Sequence, residues 1–187
     1  MKVSNVAIIG AGNGGITAAA DLSQKGFQVT LFEDKKFASN IEKIDELGGV
    51  YLQEHGENNF IDVHKVTTDI AEAVKDAEIV MLTVPGFAIE SMASLLAPVV
   101  SEDQIIFLNG AGAMGAVRFV NEAKKSGIEK TFKIAETNSL TYGTRAFPDE
   151  AKVELGLRVN KLFFAAYPHE NTEALLDSCK ELYDCLV

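Results

Sequence analysis

The sequence has no tryptophan, and only two cysteines, four prolines and three histidines among its 187 residues. No Cys/His grouping has the spacing of a metal site, which argues against a zinc-stabilised module. Cys179 and Cys185 lie six positions apart. On a helix that separation is roughly 9 Å along the axis and about 240° round it, which no disulfide spans. They read as small apolar side chains of a reduced protein. Positive charge is also scarce: 17 Lys and Arg stand against 27 Asp and Glu, for a net charge of −10. A surface of that sign repels phosphate backbones and anionic lipid, so neither a nucleic-acid partner nor a membrane surface is expected. No apolar run approaches the roughly 20 residues of a spanning helix. The start, Met1 to Asn5, leads into a short apolar stretch without the features of a signal peptide. These absences predict a soluble, cytoplasmic protein.

What is present is enough for a core, since 47% of the residues are hydrophobic. The length suits one domain, residues 1–187. Short apolar runs alternate with helix-like segments, the pattern of βαβ units. Val6-Ala7-Ile8-Ile9 precedes a helical stretch from Ile16 to Lys25 that stops at Gly26. Gln28 to Phe32 reads as a second strand, and Asn40 to Leu47 as a helix closed by Gly48-Gly49. Val50–Gln53 and Phe60–Lys65 are expected to form a small hairpin. Asp69 to Lys75 and Ala88 to Leu96 then read as helices, and Glu78–Val84 and Gln104–Leu108 as strands. Helix 116–126 and strand 131–136 follow. The stretch from Asn138 to Val159 reads as irregular, before a last strand from Lys161 to Ala166 and a helix from Asn171. Ile79 to Leu82 and Ile105 to Leu108 are continuously apolar, as parallel strands covered on both faces should be. The expected fold is α/β, a Rossmann-like, doubly wound, mostly parallel sheet of about six strands with helices on both faces.

The chemistry begins at Gly10-Ala11-Gly12-Asn13-Gly14-Gly15, a G-x-G-x-x-G pattern that follows a strand and opens a helix. Glycine clusters are common in turns; here Glu33 follows Gly15 by eighteen residues, at the end of the second strand. That is the spacing at which a carboxylate reaches the ribose of a dinucleotide. Gly10 permits the tight turn, Gly12 lets the backbone approach a pyrophosphate, and Gly15 allows close packing of helix on strand. The helix N-terminus, with Asn13 and Gly14, offers N–H groups to phosphate. Glu33 accepts from a 2′-hydroxyl and repels a 2′-phosphate, so NAD(H) is favoured over NADP(H). Two further loops follow strands. Val84, Pro85 and Ala88 are expected on the adenosine side of the cofactor, and Asn109 and Gly110, in Asn109-Gly110-Ala111-Gly112, near the nicotinamide. A third loop, 136–142, is rich in hydrogen-bonding side chains, and Glu136, Thr137 and Asn138 are candidates for the substrate side. Capping and turn duty is the alternative for that loop.

These segments, together with Thr67-Thr68-Asp69, Tyr142, Arg145 and Phe164-Ala165-Ala166-Tyr167-Pro168, resemble the N-terminal domain of the opine (octopine/nopaline) dehydrogenase family. Glu136-Thr137-Asn138-Ser139-Leu140 is much more family-specific than the glycine loop. The resemblance implies reductive condensation of a 2-oxo acid with an amino acid, using hydride from NAD(P)H. It also implies a second, all-helical domain carrying a catalytic histidine and its acidic partner. This sequence stops at Val187, about where that domain would begin, so the chain is expected to bind cofactor and turn over no opine by itself. His169, following Tyr167-Pro168, is the one weak candidate for a general acid; a place in the loop before the last helix is its plainer role. Ketopantoate reductase and glycerol-3-phosphate dehydrogenase share the glycine loop and the Val-Pro turn, and a non-catalytic NAD-sensing module needs no more than the loop and the acid. Leu175, Cys179, Leu182 and Leu186 recur at helical spacing and are expected to pack on the sheet or to drive homodimer formation.

Overall fold

The structure, a computed structural model, describes residues 2–110, 112 and 114–187; Ala111 of the third glycine-containing loop lies outside the described residues. The chain opens with β1 (Asn5–Ile9), α1 (Asn13–Gln24), β2 (Gln28–Phe32) and α2 (Ser39–Leu47). β3 (Gly49–Glu54), β4 (Glu57–Asp62), β5 (Lys65–Thr67) and α3 (Ile70–Val74) follow. Next come β6 (Ile79–Leu82), α4 (Ile89–Leu96), β7 (Ile105–Leu108), α5 (Gly115–Lys125) and β8 (Lys133–Thr137). The chain finishes with β9 (Tyr142–Phe147), β10 (Lys152–Arg158), β11 (Phe164–Tyr167) and α6 (Thr172–Lys180).

The main sheet has seven strands in the order β11-β8-β7-β6-β1-β2-β5. All its pairings are parallel except that of β11 with β8. The expected doubly wound fold is therefore present, with one more strand than expected. Period-two alternation divides its apolar residues between two cores. Ile8, Ile79, Met81, Ile105 and Phe107 face one side, with α1 and α6. Ala7, Ile9, Val80, Leu82, Ile106 and Leu108 face the other, with α3, α4 and α5. Strands buried on both faces need no polar alternation, which is why these runs are continuously apolar.

Beyond expectation is a second sheet, four strands in the order β4-β3-β10-β9. The region from Asn138 to Val159, read as irregular, supplies two of its strands. β10 pairs antiparallel with β9 and parallel with β3, with a bulge near Gly156. The hairpin β3–β4 is as expected, but Lys65 belongs to β5 on the main sheet. The smaller sheet lies over α1, whose residues from Gly14 through Leu22 are all buried. A helix covered on every side needs small and apolar residues all round, and Ala18-Ala19-Ala20 supplies them. Lys25 then ends α1, with Gly26 at φ +93° as the left-handed residue after it.

Polar side chains pin the layers together. Thr17 Oγ1 on α1 lies 2.7 Å from Thr144 Oγ1 on β9. Arg158 donates to Asp21 Oδ1 (2.6 Å) and through two nitrogens to Glu54 (2.7 and 2.9 Å). The Arg158 guanidinium holds the Glu54 carboxyl below its usual range. The Tyr142 hydroxyl donates to Asp21 Oδ2 (2.7 Å) and lies 2.9 Å from the Tyr183 hydroxyl. Burial pushes the Tyr142 phenol well above its ordinary range, which keeps it a donor.

At the C-terminus the helix is shorter than the apolar spacing suggests: α6 ends at Lys180. Leu182 and Leu186 lie beyond it, and Leu186 bridges to Leu162. All four apolar residues, Leu175, Cys179, Leu182 and Leu186, are buried in this chain's own core. Of the two expected roles, packing on the sheet is the one this chain displays. Both cysteines are free thiols, and burial pushes Cys179 up to about 12.

Candidate functional site

Two parallel strands emerge side by side where the chain reverses its winding: β1 continues outward to β2, and β6 returns on β1's other side. Ligands of open α/β sheets bind at such a switch point, beyond the carboxyl ends of the strands. Gly10 ends β1 there, at φ +99°, and a Cβ on it would lie 2.7 Å from Val84 Cγ1 beyond β6. Both the left-handed backbone and the contact require glycine. Thr83, the first residue of the 83–88 loop expected beside the cofactor, donates from Oγ1 to the Gly10 carbonyl (2.9 Å) and holds the turn.

The three remaining glycines of the loop have separate reasons. A Cβ on Gly15 would stand 1.7 Å from the Gly10 carbonyl oxygen, so helix and strand touch there. A Cβ on Gly14 would meet Leu140 at 2.9 Å. A Cβ on Gly12 would have no atom within 4 Å. Gly12 is the N-cap of α1, and no side chain caps that helix end. The first N–H groups of this twelve-residue helix thus have no side-chain cap, and open space lies beside Gly12 at the positive end of the helix dipole. Asn13 turns its Oδ1 away from this opening to accept from Ala146 N on β9 (2.9 Å).

Glu33 is 8% exposed at the end of β2. Its Oε2 accepts from Ala11 N (3.0 Å) and Asn40 Nδ2 (3.2 Å), and its Oε1 from Asp34 N (2.9 Å). The acid thus already clasps the glycine loop. Asn40, on α2, is a partner that spacing rules do not reveal, because its distance from the loop depends on how α2 packs. Lys35 and Lys36 form an exposed turn just beyond.

On the other side of β6, Pro85 leads into a short turn, and Ala88 caps α4 with Phe87 standing 85% exposed between them. Asn109, after β7, is buried, and its Oδ1 accepts from Thr141 N (3.2 Å) and Thr141 Oγ1 (2.8 Å). Gly110 N donates to Thr137 Oγ1 (3.0 Å), and that hydroxyl donates to Ser139 O (2.9 Å). Glu136 Oε2 accepts from Ala116 N at the start of α5 (2.8 Å), and Asn138 Oδ1 accepts from Phe163 N (3.0 Å). The polar run after β8 is brought beside Asn109 and Gly110, but these bonds hold loop to loop. Capping and turn duty is where its hydrogen bonds go.

His169 needs correction as a general acid. β11 runs antiparallel, with Phe164 opposite Thr137 and Tyr167 opposite Ile134. The chain therefore reaches His169 at the end of the sheet opposite the glycine loop. Its side chain is 88% exposed, with Glu170 the neighbouring charge at 3.4 Å.

Residues 5–134 match the family described as the NAD-dependent glycerol-3-phosphate dehydrogenase N-terminus. An opine dehydrogenase from Arthrobacter sp. (strain 1C) is 32% identical over 140 residues, covering 75% of this chain and 38% of that protein. A solved structure of octopine dehydrogenase in complex with NADH and agmatine superposes with a TM-score of 0.78 at 22% identity, covering 98% of this chain and 48% of that one. Yersinopine dehydrogenase with NADP+ bound gives a TM-score of 0.73 at 14% identity, over 97% of this chain and 46% of that one. The chain thus spans less than half the length of each of these relatives. With the glycine loop, the acid after β2 and the switch point all inside the matched segment, the chain belongs to the NAD-dependent glycerol-3-phosphate dehydrogenase N-terminal family, and its relatives include the opine dehydrogenases.

Proposed function

We propose that this chain binds NAD(H) across the carboxyl ends of β1 and β6, as the cofactor-binding half of an opine-dehydrogenase-like oxidoreductase. The observation that carries the reading is the open, uncapped start of α1 over Gly12, beside a buried carboxylate at the end of β2. A diphosphate there would meet unpaired N–H groups, and the adenosine ribose would lie towards Glu33. The bound nicotinamide would supply hydride to the imine carbon formed from a 2-oxo acid and an amino acid. Gly10, Gly12, Gly14 and Gly15 shape the cradle; Val84, Pro85 and Ala88 after β6, and Asn109 and Gly110 after β7, border it on the side away from β2. Glu136, Thr137 and Asn138 edge the substrate side, chiefly by building the loop. The 32% identical opine dehydrogenase supports this substrate class.

NADH rather than NADPH is the proposed partner, because a 2′-phosphate would meet the Glu33 carboxylate. The relative with NADP+ bound means that the fold alone does not decide between the two nucleotides. Glu33→Ser should weaken NADH binding by about 1–3 kcal/mol, the worth of a charge-assisted hydrogen bond, and weaken NADPH less. Fluorescence titrations of both nucleotides measure this. An unchanged ratio of the two affinities would remove Glu33 from the ribose.

Turnover needs a proton donor at the substrate nitrogen and a cleft closed to water. Two of the three histidines are placed away from the glycine loop: His169 lies at the far end of the sheet, and His64 lies between β4 and β5, in a pocket with Asn5 and Gln28 at the starts of β1 and β2. His55 is in the β3–β4 turn. The purified 187-residue chain should therefore bind NADH yet consume none with pyruvate and a panel of amino acids. Steady loss of NADH absorbance that vanishes in His169→Ala would refute this.

A further inference from the structure

The loop after β8 contributes one apolar side chain to the cradle, and it touches both cofactor-side loops. Leu140 methyl groups would lie 2.9 and 3.0 Å from a Cβ on Gly14, at the start of α1. The Leu140 backbone would lie 2.9 Å (N) and 3.1 Å (Cα) from a Cβ on Gly110, after β7. Leu140 thus fills the notch between the glycine loop and the loop that borders the nicotinamide side of the switch point. It is half-buried.

Its backbone has little freedom to retreat. On one side Thr137 Oγ1 accepts from Gly110 N and donates to Ser139 O. On the other, Thr141 donates twice to the buried Asn109, and Tyr142 donates to Asp21 on α1. The residues flanking Leu140 are therefore tied to β7 and to α1, and its position is set by both.

We propose that Leu140 is a positioning residue: wedged between Gly14 and Gly110, it fixes the distance between the two cofactor loops and so the resting place of the nicotinamide half of a bound dinucleotide. This rests on the NAD(H) reading above. Two consequences follow from the geometry. The first is that Gly14 is glycine on account of Leu140: space at Gly14 is limited by Leu140 side-chain atoms, whereas space at Gly110 is limited by backbone. Shortening Leu140 should therefore relieve a substitution at Gly14 and leave one at Gly110 unrelieved. The second is that Leu140 acts on one half of the ligand, since the adenosine side lies across β1 and β2.

The test is a mutant cycle of Gly14→Ala, Leu140→Ala and the double variant, with NADH and ADP-ribose titrated on each and thermal melts run alongside. Leu140→Ala should weaken NADH several-fold and blunt its fluorescence enhancement while leaving ADP-ribose affinity unchanged. Gly14→Ala should weaken NADH by about tenfold, and the double variant should recover most of that loss, a coupling of the size seen for residues in contact. Additive effects in the double variant would overturn the proposal, as would equal loss of NADH and ADP-ribose in Leu140→Ala. A wild-type chain that binds neither ligand would instead refute the cofactor reading, and the proposal with it. Recovery of the melting temperature alone, without recovery of NADH affinity, would reduce Leu140 to packing.

Discussion

Gly12→Val should melt within a few degrees of the wild type and show no measurable NADH binding. The backbone at Gly12 is extended, at φ −82° and ψ −166°, a conformation open to any residue. A Cβ there meets no protein atom within 4 Å, so the fold has no steric objection. The cost to stability is the poorer N-cap, about 1 kcal/mol or less. Binding is another matter. The same open space is where a diphosphate would approach the first N–H groups of α1, and a branched side chain fills it. An affinity loss of at least about 100-fold, close to 3 kcal/mol, is expected. The combination distinguishes a ligand cradle from a turn that merely happens to be glycine-rich. Retained NADH affinity in a well-folded Gly12→Val would falsify the cradle.

Gly15→Ala should do the reverse first: it should damage the fold, and binding only in consequence. Helix propensity favours alanine over glycine by up to about 1 kcal/mol. Against that stands a Cβ placed 1.7 Å from the Gly10 carbonyl oxygen and 2.8 Å from Thr83 Oγ1. A contact with backbone cannot be relieved by a rotamer, so α1 must move off β1. α1 is buried along nearly its whole length between the two sheets, so the displacement disturbs its packing on both of them. Overpacking of this kind costs about 3 kcal/mol or more and outweighs propensity. For a chain of this size the expected fall in melting temperature is roughly 10 °C. Thermal denaturation of the two variants side by side checks both predictions. A Gly15→Ala chain as stable as the wild type would mean that helix and strand do not pack this closely.

How much of this was legible beforehand differs from residue to residue. The glycine loop, Glu33 and the apolar strands β1, β6 and β7 were readable because their signals are local. A turn needs a particular φ, a buried strand needs an unbroken apolar run, and a helix end needs Gly26 or Gly48. β9 and β10 were not readable. Most of their residues are half-buried or exposed, Gly143 and Gly156 interrupt them, and β10 finds its parallel partner β3 about a hundred positions earlier. The C-terminal spacing of Leu175, Cys179, Leu182 and Leu186 correctly identified four buried residues but not their geometry. Burial can recur every three or four positions without a helix continuing, and here the chain turns after Lys180 to pair with Leu162.

The sequence by itself determined the fold class, the place of the glycine loop and the acid that follows β2, because each rests on residues close together in the chain. Only the tertiary structure decided what those residues are bonded to. Glu33 reaches Ala11 and Asn40, and Asn109 holds Thr141. Leu140 separates Gly14 from Gly110, and His169 is carried to the wrong end of the sheet by one antiparallel strand. Each of these depends on which strand lies beside which and in what direction. That choice is made by the burial of two whole cores, and no single stretch of the chain contains it.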